Sequence, residues 1–315
     1  MANVKLTNAK KAKNDEFYTQ LTDIEKEMRH YKDFFKGKVV YCNCDDARES
    51  NFFKYFSLNF EHLGLKKLIT TGYKANGKGI VLIYEGDKNG NRIVEDSEIV
   101  TKELEGNGDF RSAECVEFLK EADVVVTNPP FSLFREYVAQ LMEYGKKFLI
   151  IGNQNAITYK EIFPYIKNNE LWLGVHSNKT MEFSMPMSYE GDVVVGNRKI
   201  GKVPAISWFT NISHKKHNEE LDLYHKYDAT AYPKYDNYDA IEVSKVNEIP
   251  MDYEGVMGVP ITFLDKYCPS QFEIIGITEN ADYLKSLYIN GCQKYDRPYI
   301  NGKRIYSRLL IKMRA

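Results

Sequence analysis

Four short apolar runs, interleaved with segments of helical period, constrain this chain more than any other feature. They are Lys38 to Asn43, Lys67 to Thr71, Ala122 to Thr127 (ADVVVT) and Lys147 to Gly152 (KFLIIG). Residues 20–35 place Leu21, Ile24, Met28, Tyr31 and Phe35 three or four apart, which is the spacing of one helix face, and Gly37 ends the pattern. Phe52, Phe56, Phe60 and Leu63 form a second stripe that Gly64 stops, and Ser112 to Lys120 and Leu133 to Tyr144 read as two further helices. Strand, helix, strand in succession requires a crossover and hence parallel pairing. Up to about residue 152 the pattern predicts a doubly wound α/β sheet.

Residues 79–104 break that rhythm. GIVLIYE and NRIVE flank the turn-rich GDKNG, which predicts an inserted antiparallel hairpin. Leu171 to His176 and Ala205 to Asn211 look like two more strands that close the sheet antiparallel. From Ser213 to Tyr253 the chain is rich in Tyr, Asp, Lys and His without a clean period, so a second domain is expected there. The expected division is 1–212 and 213–315.

The 43 basic and 44 acidic residues leave a net charge of -1, so no global field draws the chain to a polyanion and any such partner needs a local patch. That patch is the end of the chain, where eight Lys/Arg face one acid, Asp296, from Lys285 onward. Lys303, Arg304 and Arg308 alternate with Tyr306 and Leu309, a row suited to phosphates, with a solvated surface as the rival account. Five cysteines without regular spacing argue for a reducing compartment, and no Cys/His set completes a metal site. The first twenty residues hold no apolar block for a signal peptide, and no stretch approaches the roughly 18 apolar residues of a membrane span. A cytoplasmic protein that needs no membrane and no metal is expected.

The chemistry concentrates at Asn128, Pro129, Pro130 and Phe131, directly after the buried run ADVVVT. An open α/β sheet binds ligands at the carboxyl ends of its strands. Two prolines remove two N–H donors, so Asn128 and the Pro129 carbonyl present acceptors, and Phe131 offers a ring face. Such a corner suits a planar ring bearing an NH2 group. Its lone pair is delocalised, and two acceptors pull it toward a nucleophilic geometry.

Asn-Pro-Pro-Phe after a sheet strand resembles the catalytic motif of amino-group methyltransferases that use S-adenosylmethionine. With CNCDD near residue 42, ITTGY near 69, GDFRS near 108 and MGVPITFLDKY from Met257, the chain resembles the EcoRI type of N6-adenine DNA methyltransferase along almost its whole length. That resemblance implies a Rossmann-like methyltransferase sheet with an inserted hairpin and a C-terminal recognition region. It also implies duplex DNA as substrate, base flipping, and a restriction-modification setting in which a partner endonuclease acts on the same site.

The same resemblance assigns Asp15, Glu16, Phe17 and Tyr18 to a segment over the cofactor, and Asn43, Asp45 and Asp46 to its methionine end. It assigns Asp109 and Phe110 to the cofactor adenine. Phe183 becomes the second aromatic on the flipped base, with Trp172 behind it. For the first three groups helix N-capping is an open alternative, and for the two aromatics core packing is. Where the family has an acid for the cofactor ribose this chain reads Thr70, Thr71, Gly72, Tyr73.

Two competing signals fail. Gly72 to Lys78 matches a phosphate-binding loop, but the next residue is Gly79 instead of Ser or Thr, and a strand pattern follows in place of the required helix. Methylation at cytosine C5 is excluded because it needs a Pro-Cys pair and the chain has none. An RNA or glutamine-amide methyltransferase, or a DNA-binding module with an inactive methyltransferase fold, are the alternatives the sequence leaves open.

Overall fold

The computed structural model describes residues 17–186, 193–196, 198–278, 284–289 and 297–314. The chain divides into two compact units, the first running to Ala156 and resuming over Gly174–Ile212, the second made of Ile157–Leu173 and the chain from Ser213. The single cut expected after residue 212 is therefore corrected by an excursion of Ile157–Leu173 into the second unit. Within that unit its apolar side chains find their burial: Phe163, Ile166, Leu171 and Leu173 are buried, Trp172 stacks on His217 at 4.3 Å, and the Leu173 carbonyl is hydrogen-bonded to the His214 ring.

In the first unit the strands are β1 (Tyr18–Thr19), β2 (Val39–Cys42), β3 (Lys67–Gly72), β4 (Ile80–Tyr84), β5 (Ile99–Glu103), β6 (Val124–Thr127) and β7 (Lys147–Asn153). After β8 (Trp172–Leu173), which belongs to the second unit, come β9 (Lys179–Pro186), β10 (Val193–Val195) and β11 (Arg198–Thr210). They form one large mixed sheet in the order β1-β9-β11-β7-β6-β2-β3-β4-β5, with β10 added alongside β11. The central strands β7, β6, β2 and β3 are parallel, as their near-continuous apolar composition requires, and β11 closes on β7 antiparallel.

Helices cover both faces. Val40, Cys42, Val124, Val126, Leu149 and Ile151 point to one side, where they pack with Ile24 and Met28 of α1 (Leu21–Met28) and with the aromatic face of α2 (Asn51–Leu58) and α3 (Phe60–Leu63). The alternate residues meet α4 (Ala113–Glu121) and α5 (Phe134–Glu143), where Phe118 lies 6.4 Å from Tyr41 and Phe134 lies 5.0 Å from Phe209. The two helices expected over 20–35 and 49–62 are each divided. α1 gives way to a 3-10 turn at Lys32–Phe35, and Asn59 separates α2 from α3.

The inserted hairpin exists as β4 and β5, but its second strand is Ile99–Glu103 and not NRIVE. Asp87 explains the shift: its carboxylate accepts from the backbone N–H of Asn89, Gly90 and Arg92, folding that stretch into a loop. The strand expected over 171–176 shortens to β8, and β9 arises where no strand had been expected.

The second unit carries α6 (Phe163–Lys167) and a sheet of β12 (Ile241–Glu242), β13 (Met257–Val259), β17 (Leu309–Met313) and β14 (Phe272–Ile277) in that order. A separate hairpin pairs β15 (Tyr299–Ile300) with β16 (Lys303–Arg304).

Candidate active site

The carboxyl ends of β2 and β6 converge. Thr127 Oγ1 donates to the Asn43 carbonyl and Tyr137 OH donates to Asn43 Oδ1, so Asn43 is a fixture of the strand ends. Beyond them opens a cavity of about 580 Å³, lined among others by Phe17, Asp45, Asp109, Phe110 and Asn128. Every lining residue belongs to the first unit.

Asn128 is the most informative of these. Its side chain is buried at 6% exposure, and Nδ2 donates to the Phe17 carbonyl at 2.6 Å, which fixes the orientation of the amide. Oδ1 is then left buried without a hydrogen-bond partner. An unsatisfied buried carbonyl costs about 1–3 kcal/mol and is retained where something else supplies the donor. Phe131 begins the 3-10 turn after Pro130 and is half-buried. Its ring centroid lies 6.3 Å from that of Phe17 and 6.5 Å from that of Phe183, which in turn lies 6.1 Å from Phe17. Phe183 is fully buried in the core and packs against both of the other rings.

Among the residues assigned to the cofactor, the structure separates two groups. Phe17, Asp45, Asp109 and Phe110 line the cavity. Tyr18, Asn43 and Asp46 do not. Tyr18 is buried under the Arg198 guanidinium at 4.0 Å, and Asp46 Oδ1 accepts from the backbone N–H of Arg48 and Glu49, closing a turn ahead of α2, whose own N-cap is Ser50 and not Asp46. Asp15 and Glu16 lie outside the described residues. Asp45 also accepts from Ser50 Oγ at 3.2 Å.

Asp109 is gripped by Arg111 through Nε at 2.8 Å and Nη2 at 2.6 Å, and these bonds hold its carboxyl below the usual range. The guanidinium also stacks 5.2 Å above the Phe110 ring and reaches Glu136. The sequence reading missed Arg111, although its place two residues after Asp109 is the signal that pointed to it. Cys44 lines the cavity too, with its thiol pushed up by burial and by the neighbouring Asp45 carboxylate, so it is held as a neutral thiol and not as a nucleophilic thiolate.

The glycines explain the loop that mimicked a phosphate site. A Cβ on Gly79 would stand 2.6 Å from the Gly72 carbonyl and one on Gly108 only 2.3 Å from it, and Gly108 has φ +81°. Gly79 and Gly108 let three backbone segments meet at the rim of the cavity, beside Tyr73 and Asn107. β4 follows Gly79 directly, with no helix to face an anion.

In the second unit Lys303 and Arg304 are exposed on the β15–β16 hairpin, whose turn at Asn301 and Gly302 is held by the Asp236 carboxylate at 3.2 and 2.7 Å. Arg308 corrects the expectation of a continuous phosphate-facing row. It donates three hydrogen bonds of 2.6 to 3.1 Å to Glu242, and the two side chains are only 13% and 6% exposed. The residues between β16 and β17 leave the strand, so Arg308 turns inward.

Comparison with known proteins places the chain in a family. The family model described as adenine-specific methyltransferase EcoRI matches residues 5–314. The type II methyltransferase M.EcoRI of Escherichia coli is 50% identical over 95% of this chain and 97% of its own length. Type II methyltransferases of Mycoplasma genitalium and Mycoplasma pneumoniae are 42% and 43% identical, covering 96% and 97% of this chain and 97% of each relative. Matched over residues 5–314 by that family model and over 95% or more of its length by these relatives, the chain belongs to the EcoRI family of adenine-specific methyltransferases.

Proposed function

We propose that this adenine-specific methyltransferase transfers a methyl group from S-adenosylmethionine directly to N6 of an adenine flipped out of duplex DNA, as the modification half of a restriction-modification pair. The observation that carries the reading is the buried, partnerless Oδ1 of Asn128 at the edge of the cavity. It is an acceptor without a donor, and the N6 amine of adenine would supply one.

The chemistry of the cavity lining suits the cofactor. Phe110 offers a ring face and Asp109 a carboxylate for an adenosine, and Asp45 offers a buried carboxylate for an ammonium. When bound, S-adenosylmethionine supplies an electrophilic methyl group on a sulfonium. Asn128 Oδ1 would accept a hydrogen bond from one N6–H and the Pro129 carbonyl from the other, which draws the amine toward tetrahedral geometry. Both oxygens then face the positive charge that develops on nitrogen, and the catalytic gain comes from this fixed placement. As the methyl passes from sulfur to nitrogen the S–CH3 bond breaks, and the methylated amine then gives up one proton to solvent. Phe131 receives the base by stacking, offsetting a flipping cost of a few kcal/mol. Phe183 acts behind it, buttressing Phe131 and Phe17, and reaches a base only if those rings part. Lys303 and Arg304 are the phosphate contacts of the second unit, with Tyr18, Asn43 and Asp46 shaping the cofactor site from outside its lining.

The test is expression in a host free of DNA methylation, followed by sequencing that detects modified bases. N6-methyladenine at one short recurrent sequence is the expected result. Unmodified DNA, with labelled methyl appearing in RNA instead, would refute the substrate.

A further inference from the structure

Residues 107–111 cross the rim of the cavity, and each of the five lines it. Helix α5 pins that stretch through three side chains. Glu136 accepts from Arg111 Nη1 at 3.2 Å, Tyr137 meets the Phe110 ring edge-on at 4.9 Å between centroids, and Gln140 Nε2 donates to the Phe110 carbonyl at 3.2 Å. From within the stretch, Asn107 Oδ1 accepts the Asp109 N–H at 3.1 Å. α5 begins at Phe134, three residues after Phe131, so the helix that leaves the catalytic corner also fixes this part of the rim.

Arg111 is the centre of the arrangement. Its backbone N–H and Nε both donate to Asp109 Oδ1, at 2.9 and 2.8 Å, and Nη2 donates to Oδ2 at 2.6 Å. Oδ1 thereby has both lone pairs engaged and Oδ2 has one, so the second lone pair of Oδ2 is the acceptor this clamp leaves over. The guanidinium is itself held in place, over the Phe110 ring at 5.2 Å and against both oxygens of Glu136. The clamp fixes the carboxylate plane and keeps the group ionised, so that it accepts and does not donate. Asp109 is not sealed off by it: the side chain is 26% exposed and lines the cavity.

We infer that Arg111 is a positioning residue for the cofactor, fixing the Asp109 carboxylate so that the adenine subsite accepts a purine 6-amino group and rejects a 6-oxo group. The inference rests on the reading above, in which S-adenosylmethionine occupies the cavity with its adenine at Asp109. A 6-amino group brings an N–H to the acceptor left over. The oxygen of a 6-oxopurine brings lone pairs to the same place. A carboxylate free to turn could meet the ring N–H beside that oxygen instead, and a carboxylate locked by Arg111 cannot. The selectivity therefore belongs to the pair, with Asp109 touching the ligand and Arg111 acting through it.

Calorimetric titration of the full chain with S-adenosylhomocysteine, and with its 6-oxo counterpart S-inosylhomocysteine, tests this. The wild type is expected to prefer the adenosyl compound by roughly 100-fold, less than a fully buried hydrogen-bonding site achieves because Asp109 is partly exposed. In Arg111→Ala the ratio should fall to about tenfold or below, chiefly through weaker binding of the adenosyl compound, with little change in melting temperature because the ion pair is half-exposed. Arg111→Lys, which keeps the charge without the planar fork, should leave the ratio low. Asp109→Ala should abolish the preference, and adding Arg111→Ala to it should change nothing further. A ratio that stays at the wild-type value in Arg111→Ala, while Asp109→Ala abolishes it, would overturn the role of Arg111 alone, even if both ligands bind more weakly. A wild type that binds the two compounds equally would overturn it too. A wild type that binds neither compound, or an Asp109→Ala variant that keeps the preference, would instead overturn the cofactor reading, and this inference with it.

Discussion

At the scale of single residues, the site depends on backbone placements that side-chain chemistry then uses. Gly108 holds φ +81° within 2.3 Å, measured from a would-be Cβ, of the Gly72 carbonyl, at the rim of the cavity. Gly108→Ala is expected to cost about 1–3 kcal/mol in denaturant unfolding through strain alone and to weaken cofactor binding more than stability. Calorimetry with S-adenosylmethionine beside a urea titration checks this, and a variant that binds as the wild type does would show that the close approach is dispensable. Asn128 was legible because consecutive rare residues, Asn-Pro-Pro-Phe, followed an apolar run. Its partner, the Phe17 carbonyl, was not, because nothing local links residues 111 positions apart. The same limit hid the different places of two adjacent carboxylates that look alike in sequence, Asp46 closing a local turn and Asp45 lining the cavity.

Among elements, the strands that were read well are those buried on both faces, where composition itself is the signal. β2, β3, β6 and β7 fall within a residue or two of their expected limits. β9 escaped notice because KTMEFSMP alternates buried and exposed residues with methionines, a weaker signature than a β-branched run. The basic end of the chain shows the opposite error. Alternation in KRIYSRLLIK suggested one charged face, yet β16 and β17 are separate and Arg308 is drawn into a buried pair by Glu242, which also accepts from Tyr235 OH. Glu242→Ala leaves that guanidinium buried without its counter-charge, and a loss of about 3–5 kcal/mol is expected. Replacing both partners, as in E242M/R308M, is expected to recover most of it. Equal destabilisation by the single and double changes in urea unfolding would contradict the assignment.

For the whole molecule, acid acts on the second unit through one buried histidine. His217 in the second unit stacks on Trp172 and bonds Asn169, and burial, with His214 beside it, pushes its imidazole down to about 4. A value below the unfolded 6.5 means the folded state binds fewer protons. This contribution to stability is therefore complete above about pH 6.5 and is lost as pH falls through about 4. The melting temperature is expected to drop across that window, and to drop less in His217→Gln, while an identical drop in both would place the acid response elsewhere. Composition and period were enough to foresee the large sheet and an irregular second region. They did not reveal that Ile157–Leu173 leaves the first unit and returns, since that depends on which distant apolar surfaces accept Phe163 and Leu173. In the proposed mechanism the activity of the whole rests on one oriented amide. Single-turnover methyl transfer by Asn128→Ala, with cofactor and DNA both saturating, is the most direct test of it. The rate should fall by roughly two orders of magnitude while affinity for S-adenosylmethionine changes little. A rate near that of the wild type would contradict the account.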